Sequence, residues 1–212
     1  MRRTRADAAA TREAILDAAE VVFLEHGVAR SSLEQIARRA GVTRGAIYWH
    51  FKDKTALFAA MVERVRLPLQ DIADAYRRRS GGMDPLGMLR QLCGLVVARL
   101  DEDSHHRNVY RILMNRCEYA GEMNPVFERQ RIIDEESLRK VEVDFHRART
   151  LGQLATTVEP RVATLALYSL MYGIHLTWLR APESFSVRKD GEAMVELFFA
   201  GLYNATLGQS ST

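Results

Sequence analysis

The chain is poor in cysteine, proline and long apolar runs. Two cysteines, Cys93 and Cys117, occur in 212 residues. Two thiols are too few for a disulfide framework and lack metal-ligand spacing, so reduced, inert side chains at apolar helical positions are expected. Five prolines leave room for long helices. No run reaches the ~18 consecutive apolar residues of a membrane span, and the basic start MRRTRADAAATR lacks the apolar stretch of a signal peptide. A cytoplasmic protein without a membrane partner is therefore expected. β-hairpin signals, internal repeats, phosphate-cradling glycine loops and nucleophile elbows are also missing. The Glu-x-x-His pair that di-metal bundles use twice occurs once, at Glu102 and His105 in a predicted turn, and His105-His106 reads as a solvated pair. No enzyme, metal or cofactor is expected.

What is there reads almost wholly as helix. One apolar face joins Ile15, Leu16, Ala19, Val22 and Phe23 and stops at His26-Gly27. A long helix should run from near Asp53 to Arg79, with Pro68 predicting a bend, and Ser80-Gly81-Gly82 breaks it. Asp84-Pro85 opens the next, and Asp101 to Ser104 makes a turn. Asn124-Pro125 opens a helix reaching Leu151, Glu159-Pro160 another, and the last spans Arg188 to Leu207. The charge is uneven. Residues 1–54 hold ten Lys/Arg against seven Asp/Glu, the rest twenty of each, so the whole net charge of +3 sits in the first quarter.

That quarter contains SSLEQIARRAGVTRGAIYWHFKDK, Ser31 to Lys54. Ser31 is expected to cap a helix, with Glu34 closing a capping box, Gly41 to end it, and Thr43 to cap a second. Ala37, Gly41 and Ile47 suit two short helices crossing steeply, with Ile47 and Phe51 inward. Thr43, Arg44, Gly45, Tyr48 and His50 fall on the outer side, chemistry suited to phosphates and base edges. On spacing alone the stretch serves equally as an ordinary helical hairpin.

GVTRGAIYWHFKDK, with DPLGMLR at Asp84 to Arg90 and RCEYAGEM at Arg116 to Met123, resembles the TetR family of bacterial transcriptional repressors, particularly its multidrug-efflux regulators of the AcrR and TtgR type. The resemblance implies an all-α fold. A three-helix helix-turn-helix DNA-binding domain (1–54) would precede a six-helix ligand-binding and dimerisation bundle (55–212), the fourth helix linking them. It implies double-stranded operator DNA as partner and Ser32, Thr43, Arg44, Gly45, Tyr48, Trp49, His50 and Lys54 as the residues that meet it. Arg44 has the planar fork for guanine O6 and N7, while Tyr48, His50 and Lys54 suit phosphates. Trp49 is read as packing within the small domain, a contact with sugar or phosphate being the alternative. Arg2, Arg3 and Arg5 form an arm that either reaches the DNA or stays solvated.

The resemblance also implies a homodimer through the last two helices, with Leu197, Phe198, Gly201 and Leu202 in the contact. A hydrophobic or aromatic small-molecule inducer would be lined by Leu92, Val96, Tyr110, Met114, Cys117, Tyr168, Met171, Tyr172, His175 and Trp178. From the residues alone that Met-rich, aromatic stripe reads as core. Against a ligand-responsive repressor of an efflux operon stand three other readings. One is a repressor of another metabolic pathway with a non-drug ligand; the others are a helical-bundle enzyme and an architectural DNA-binding protein.

Overall fold

Few prolines and regular apolar spacing yield nine α-helices among the described residues, and no strand. The structure is a computed structural model that describes residues 5–116 and 124–207, with backbone alone at 67–70, 124–127, 129–130 and 203–207. The helices are α1 (Arg5–His26), α2 (Leu33–Ala40), α3 (Arg44–His50), α4 (Lys54–Arg79) and α5 (Pro85–Glu102), then α6 (Ser104–Asn115), α7 (Asn124–Thr150), α8 (Pro160–Arg180) and α9 (Glu192–Leu207). A π-helical turn, Val187–Gly191, leads into α9 in place of the plain α-helical start expected at Arg188.

The local punctuation follows residue chemistry. Gly41 closes α2 in the left-handed region at φ 66°, which an L side chain rarely adopts. The Thr43 hydroxyl accepts the Ala46 N–H at 3.2 Å to cap α3. Asp53 accepts from the Ala56 N–H at 2.7 Å and Asp84 from the Gly87 N–H at 3.0 Å, starting α4 and α5.

One cap differs from expectation. Ser32, not Ser31, caps α2, and Gln35, not Glu34, closes the box: Gln35 N–H donates to the Ser32 hydroxyl at 3.2 Å, and Ser32 N–H to Gln35 Oε1 at 2.7 Å. Ser31 instead turns inward, its hydroxyl donating to the Gly27 carbonyl at 2.6 Å.

Packing groups the helices into two units. The first comprises residues up to Leu67 together with Ser104–Gln130. Its core joins Ile15, Leu16 and Phe23 of α1 with Ile36, Ile47, Phe58, Val109 and Ile112, so α6 packs on α1. Each fully buried Ile, Leu or Phe contributes about 1.5–3 kcal/mol. Beneath this core Glu20 is buried beside Arg64, which also reaches Asp17 at 2.7 Å and Glu13 at 3.2 Å. His105 Nδ1 lies 2.9 Å from Glu20 and 3.2 Å from Arg64 Nη2. His106 is fully buried with its ring 4.7 Å from that of Tyr110. The reading as a solvated pair holds for His105, which is exposed beside Glu20 and Arg64, and fails for His106, which α6 turns into the core.

The second unit comprises Pro68–Asp103 and residues from Arg131 onward. There α5 packs on α8, α9 and the π turn. The α5 contact with the turn requires Gly191, whose added Cβ would stand 2.9 Å from Val97 Cγ1. Arg77 bonds the buried Asp144 at 2.8 Å, and the Tyr76 hydroxyl donates to Asp84 at 2.7 Å.

α8 corrects one expectation. With a mean hydropathy of 1.3 over 18 residues it is long and apolar enough to cross a membrane by length and composition, and 39% of that window is buried in the protein. A search for consecutive apolar residues misses it because Thr164, Ser169 and Gly173 interrupt the run.

Candidate nucleic-acid interface

α3 is held from beneath by Ile47, fully buried, and Phe51 at its C-cap. Four residues apart, these two fix one face inward and send the opposite face to solvent. Thr43, Arg44, Gly45, Tyr48 and Trp49 are all exposed and His50 is half-buried. Arg44 Nη2 donates to the Tyr48 hydroxyl at 3.0 Å, and its guanidinium carbon lies 5.4 Å from the Tyr48 ring centroid. That hydrogen bond holds the Arg44 pKa above its ordinary value, with the Glu34 charge adding to the effect.

Trp49 is 73% exposed, its ring meeting His50 edge-on at 4.5 Å. It does not pack within the small domain, because Ile47 and Phe51 already define the buried face and Trp49 falls between them on the other side. Ser32 is exposed but engaged in the α2 cap. Lys54 is tethered, its ammonium donating to the carbonyls of Ala29 at 3.1 Å and Ser31 at 3.0 Å. Sequence reading treated Lys54 as a point charge; the structure adds that it ties α4 to the loop before α2. Arg5 lies in α1, while Arg2 and Arg3 lie outside the described residues.

The residues read as ligand-binding are distributed over several helices. Leu92 and Val96 lie half-buried on α5, and Met171 half-buried on α8. His175 and Trp178 are buried, and His175 Nδ1 lies 2.7 Å from the Met171 carbonyl. Burial lowers the His175 pKa, so its imidazole is neutral and donates that bond. Tyr110 and Met114 belong to α6, in the first unit. Tyr168 and Tyr172 face outward, stacked with centroids 6.3 Å apart, 44% and 47% exposed. Cys117 lies outside the described residues. Cys93 is buried and its thiol is pushed up to about 12, so it is inert at neutral pH.

A cleft of about 430 Å³ within the second unit is lined by a different set, including Arg77, Asp84, Met88, Arg139, Lys140 and Arg147. Asp17, Glu20 and His105 bring three potential metal-ligating atoms within 4.8 Å of one another, but the Arg64 guanidinium already supplies a cation there. Of the residues read as dimer contacts, Leu197 is 76% exposed and Gly201 exposed, while Phe198 is half-buried against Phe199 and Leu202 is buried in its own protomer.

Residues 15–61 match the bacterial regulatory proteins of the tetR family, and residues 84–203 the C-terminal region of MAATS-type transcriptional repressors. The chain belongs to the TetR family. It is 37% identical to the HTH-type transcriptional repressor BepR of Brucella suis over 95% of this chain and 96% of that one. Among solved structures it resembles NalD, the secondary repressor of the MexAB-OprM multidrug efflux pump in Pseudomonas aeruginosa, with TM-score 0.81 and 41% identity over 92% of this chain and 98% of NalD. The SmeT–triclosan complex gives TM-score 0.78 and 36% identity, covering 91% of each chain. This TetR family member is thus a ligand-responsive transcriptional repressor with a helix-turn-helix N-terminal domain, α2 and α3 forming the motif.

Proposed function

We propose that this TetR family member is a cytoplasmic homodimer that represses a multidrug efflux operon and leaves its operator when a hydrophobic aromatic compound binds. The observation that carries the DNA side is the outward face of α3, where a guanidinium, a phenol and an indole project from a helix fixed by Ile47. Arg44 reads a guanine and Tyr48 and His50 grip phosphates. Trp49 lies against sugar or phosphate. Likeness over 92% of the chain to a pump repressor supports the choice of operon, and the triclosan complex of SmeT supports the class of ligand.

An outward apolar row runs along α8 as Val162, Leu165, Tyr168 and Tyr172, and α9 also exposes Met194 and Leu197. Water-facing apolar surface at this density is characteristic of an interface, and two copies paired through it place two α3 helices on two half-sites. Leu92 and Val96 of α5 with Met171 of α8 offer deformable apolar contacts for the inducer. A 100-fold release from DNA requires about 2.7 kcal/mol of differential ligand affinity between bound and free states.

The test is a gel-shift titration of the full chain on DNA upstream of the nearest efflux operon in its genome, with and without a panel of antibiotics, dyes and phenols. Sequence-specific binding relieved by at least one compound is expected. Binding confined to the promoter of a different metabolic operon, and unresponsive to the panel, would overturn the efflux assignment.

A further inference from the structure

Arg44 and Tyr48 stand one helical turn apart on α3 and are joined before any DNA arrives. An exposed arginine ordinarily samples many rotamers, and freezing them on binding costs affinity. Here two contacts restrict it. The Tyr48 hydroxyl accepts a hydrogen bond from Nη2 at 3.0 Å, and the guanidinium carbon stands 5.4 Å from the ring centroid. Tyr48 itself has only two rotatable side-chain bonds, and its backbone is fixed by neighbouring Ile47, which is fully buried.

Donor accounting gives the pair its purpose. A guanidinium has five N–H donors; Tyr48 uses one, and a guanine edge needs two, for O6 and N7. Tyr48 accepts the Arg44 bond through its oxygen and still has its own O–H to give to a phosphate. Hydrogen bonds arranged donor to acceptor in this way polarise one another. A phosphate contact that fixes the phenol therefore also fixes the guanidinium.

We propose that Tyr48 is a positioning residue for sequence readout, its hydroxyl holding the Arg44 guanidinium in the orientation that discriminates guanine in duplex DNA. This rests on the reading of Arg44 as the base reader. The consequence is particular: removing one oxygen from Tyr48 relaxes sequence preference at the position Arg44 reads and at no other. A tyrosine that merely gripped phosphate would change affinity for all sequences alike.

The experiment is selection from a pool of randomised duplex DNA by the full-length protein. Base preference at each position is then compared for the parent, Arg44→Ala, Tyr48→Phe and the double variant. Tyr48 is 47% exposed and phenylalanine keeps the ring, so the fold is retained, which circular dichroism verifies. Arg44→Ala should reduce guanine preference at one position per half-site by about 5- to 150-fold. Tyr48→Phe should reduce it at that same position by about 3- to 10-fold, the worth of one solvent-exposed hydrogen bond. The double variant should discriminate no worse than Arg44→Ala alone. If Arg44→Ala relaxes a position and Tyr48→Phe leaves it intact while weakening all sequences equally, positioning is overturned and base reading survives. If Arg44→Ala changes no position, both the base reading and the positioning role fall.

Discussion

Arg64→Met removes the cation at the centre of the charge network in the first unit. The Glu20 side chain is 2% exposed and that of Arg64 19%, so the two charges have given up most of their water. Burial works against the Arg64 charge, yet the hydrogen bond it donates to Asp17, the charge of Glu20 and the bond it donates to Glu13 more than offset it, leaving its pKa above the ordinary value. Removing the guanidinium leaves Glu20, among the described residues, with His105 as its close partner, charged only when its ring is protonated. Breaking a buried pair costs about 3–5 kcal/mol, while the exposed partners Glu13 and Asp17 add about 0–1. His105 compensates in part, so a loss near the lower bound, about 3 kcal/mol, is expected. With a urea dependence of about 2 kcal/mol per molar, the unfolding midpoint should fall by about 1.5 M. Replacing both partners, Glu20→Leu with Arg64→Met, should recover most of that loss, since an apolar pair leaves no charge stranded. A midpoint within about 0.25 M of the parent for Arg64→Met, equivalent to about 0.5 kcal/mol, would refute the reasoning. So would a double variant no more stable than the single one.

Three further outcomes follow from named contacts. Burial keeps His175 neutral below its ordinary pKa of 6.5, so the unfolded chain takes up a proton that the folded chain resists. Stability from this group is whole above about pH 6.5 and is lost as pH falls through that value toward the lowered folded pKa; urea midpoints between pH 7.5 and 5 should fall more in the parent than in His175→Gln. Lys54→Met removes charge-assisted bonds to the Ala29 and Ser31 carbonyls and should cost about 1–3 kcal/mol in thermal unfolding, with DNA affinity lowered alike for all sequences. Leu197→Glu should leave the protomer folded, because Leu197 is 76% exposed, while light scattering shows monomers; a persistent dimer would place the interface elsewhere.

The helices, and the shape of the DNA-facing element, were legible because they depend on local chemistry. Gly41, Thr43 and Asp84 each act within a turn of themselves, and the sequence displays that turn. Ser31 and Ser32 mark the limit of this logic. Both suit an N-cap, and the carbonyls of Val22 and Gly27, presented by the end of α1, draw Ser31 inward and leave the cap to Ser32. Trp49, read as packing within the small domain with a sugar or phosphate contact as the alternative, is exposed, as the spacing of Ile47 and Phe51 already directs. The Arg64–Glu20–His105 network joins residues as much as 85 positions apart, and no periodicity registers such a pairing. On α8, spacing separates His175 and Trp178 from Tyr168 and Tyr172 as two faces. Which face is core and which is surface depends on α5 and α9, and those are settled only by packing. The π turn before α9 sets Gly191 against Val97 of α5, a contact between distant residues that periodicity does not register.

The central claim is that ligand and DNA compete through one conformational equilibrium. Calorimetric titration of an aromatic inducer into the free protein, and into the protein saturated with its selected duplex, tests it directly. The account predicts that DNA weakens inducer binding by the same factor by which inducer weakens DNA binding, about 100-fold for a full release. Equal inducer affinity for the free and DNA-bound protein would contradict it.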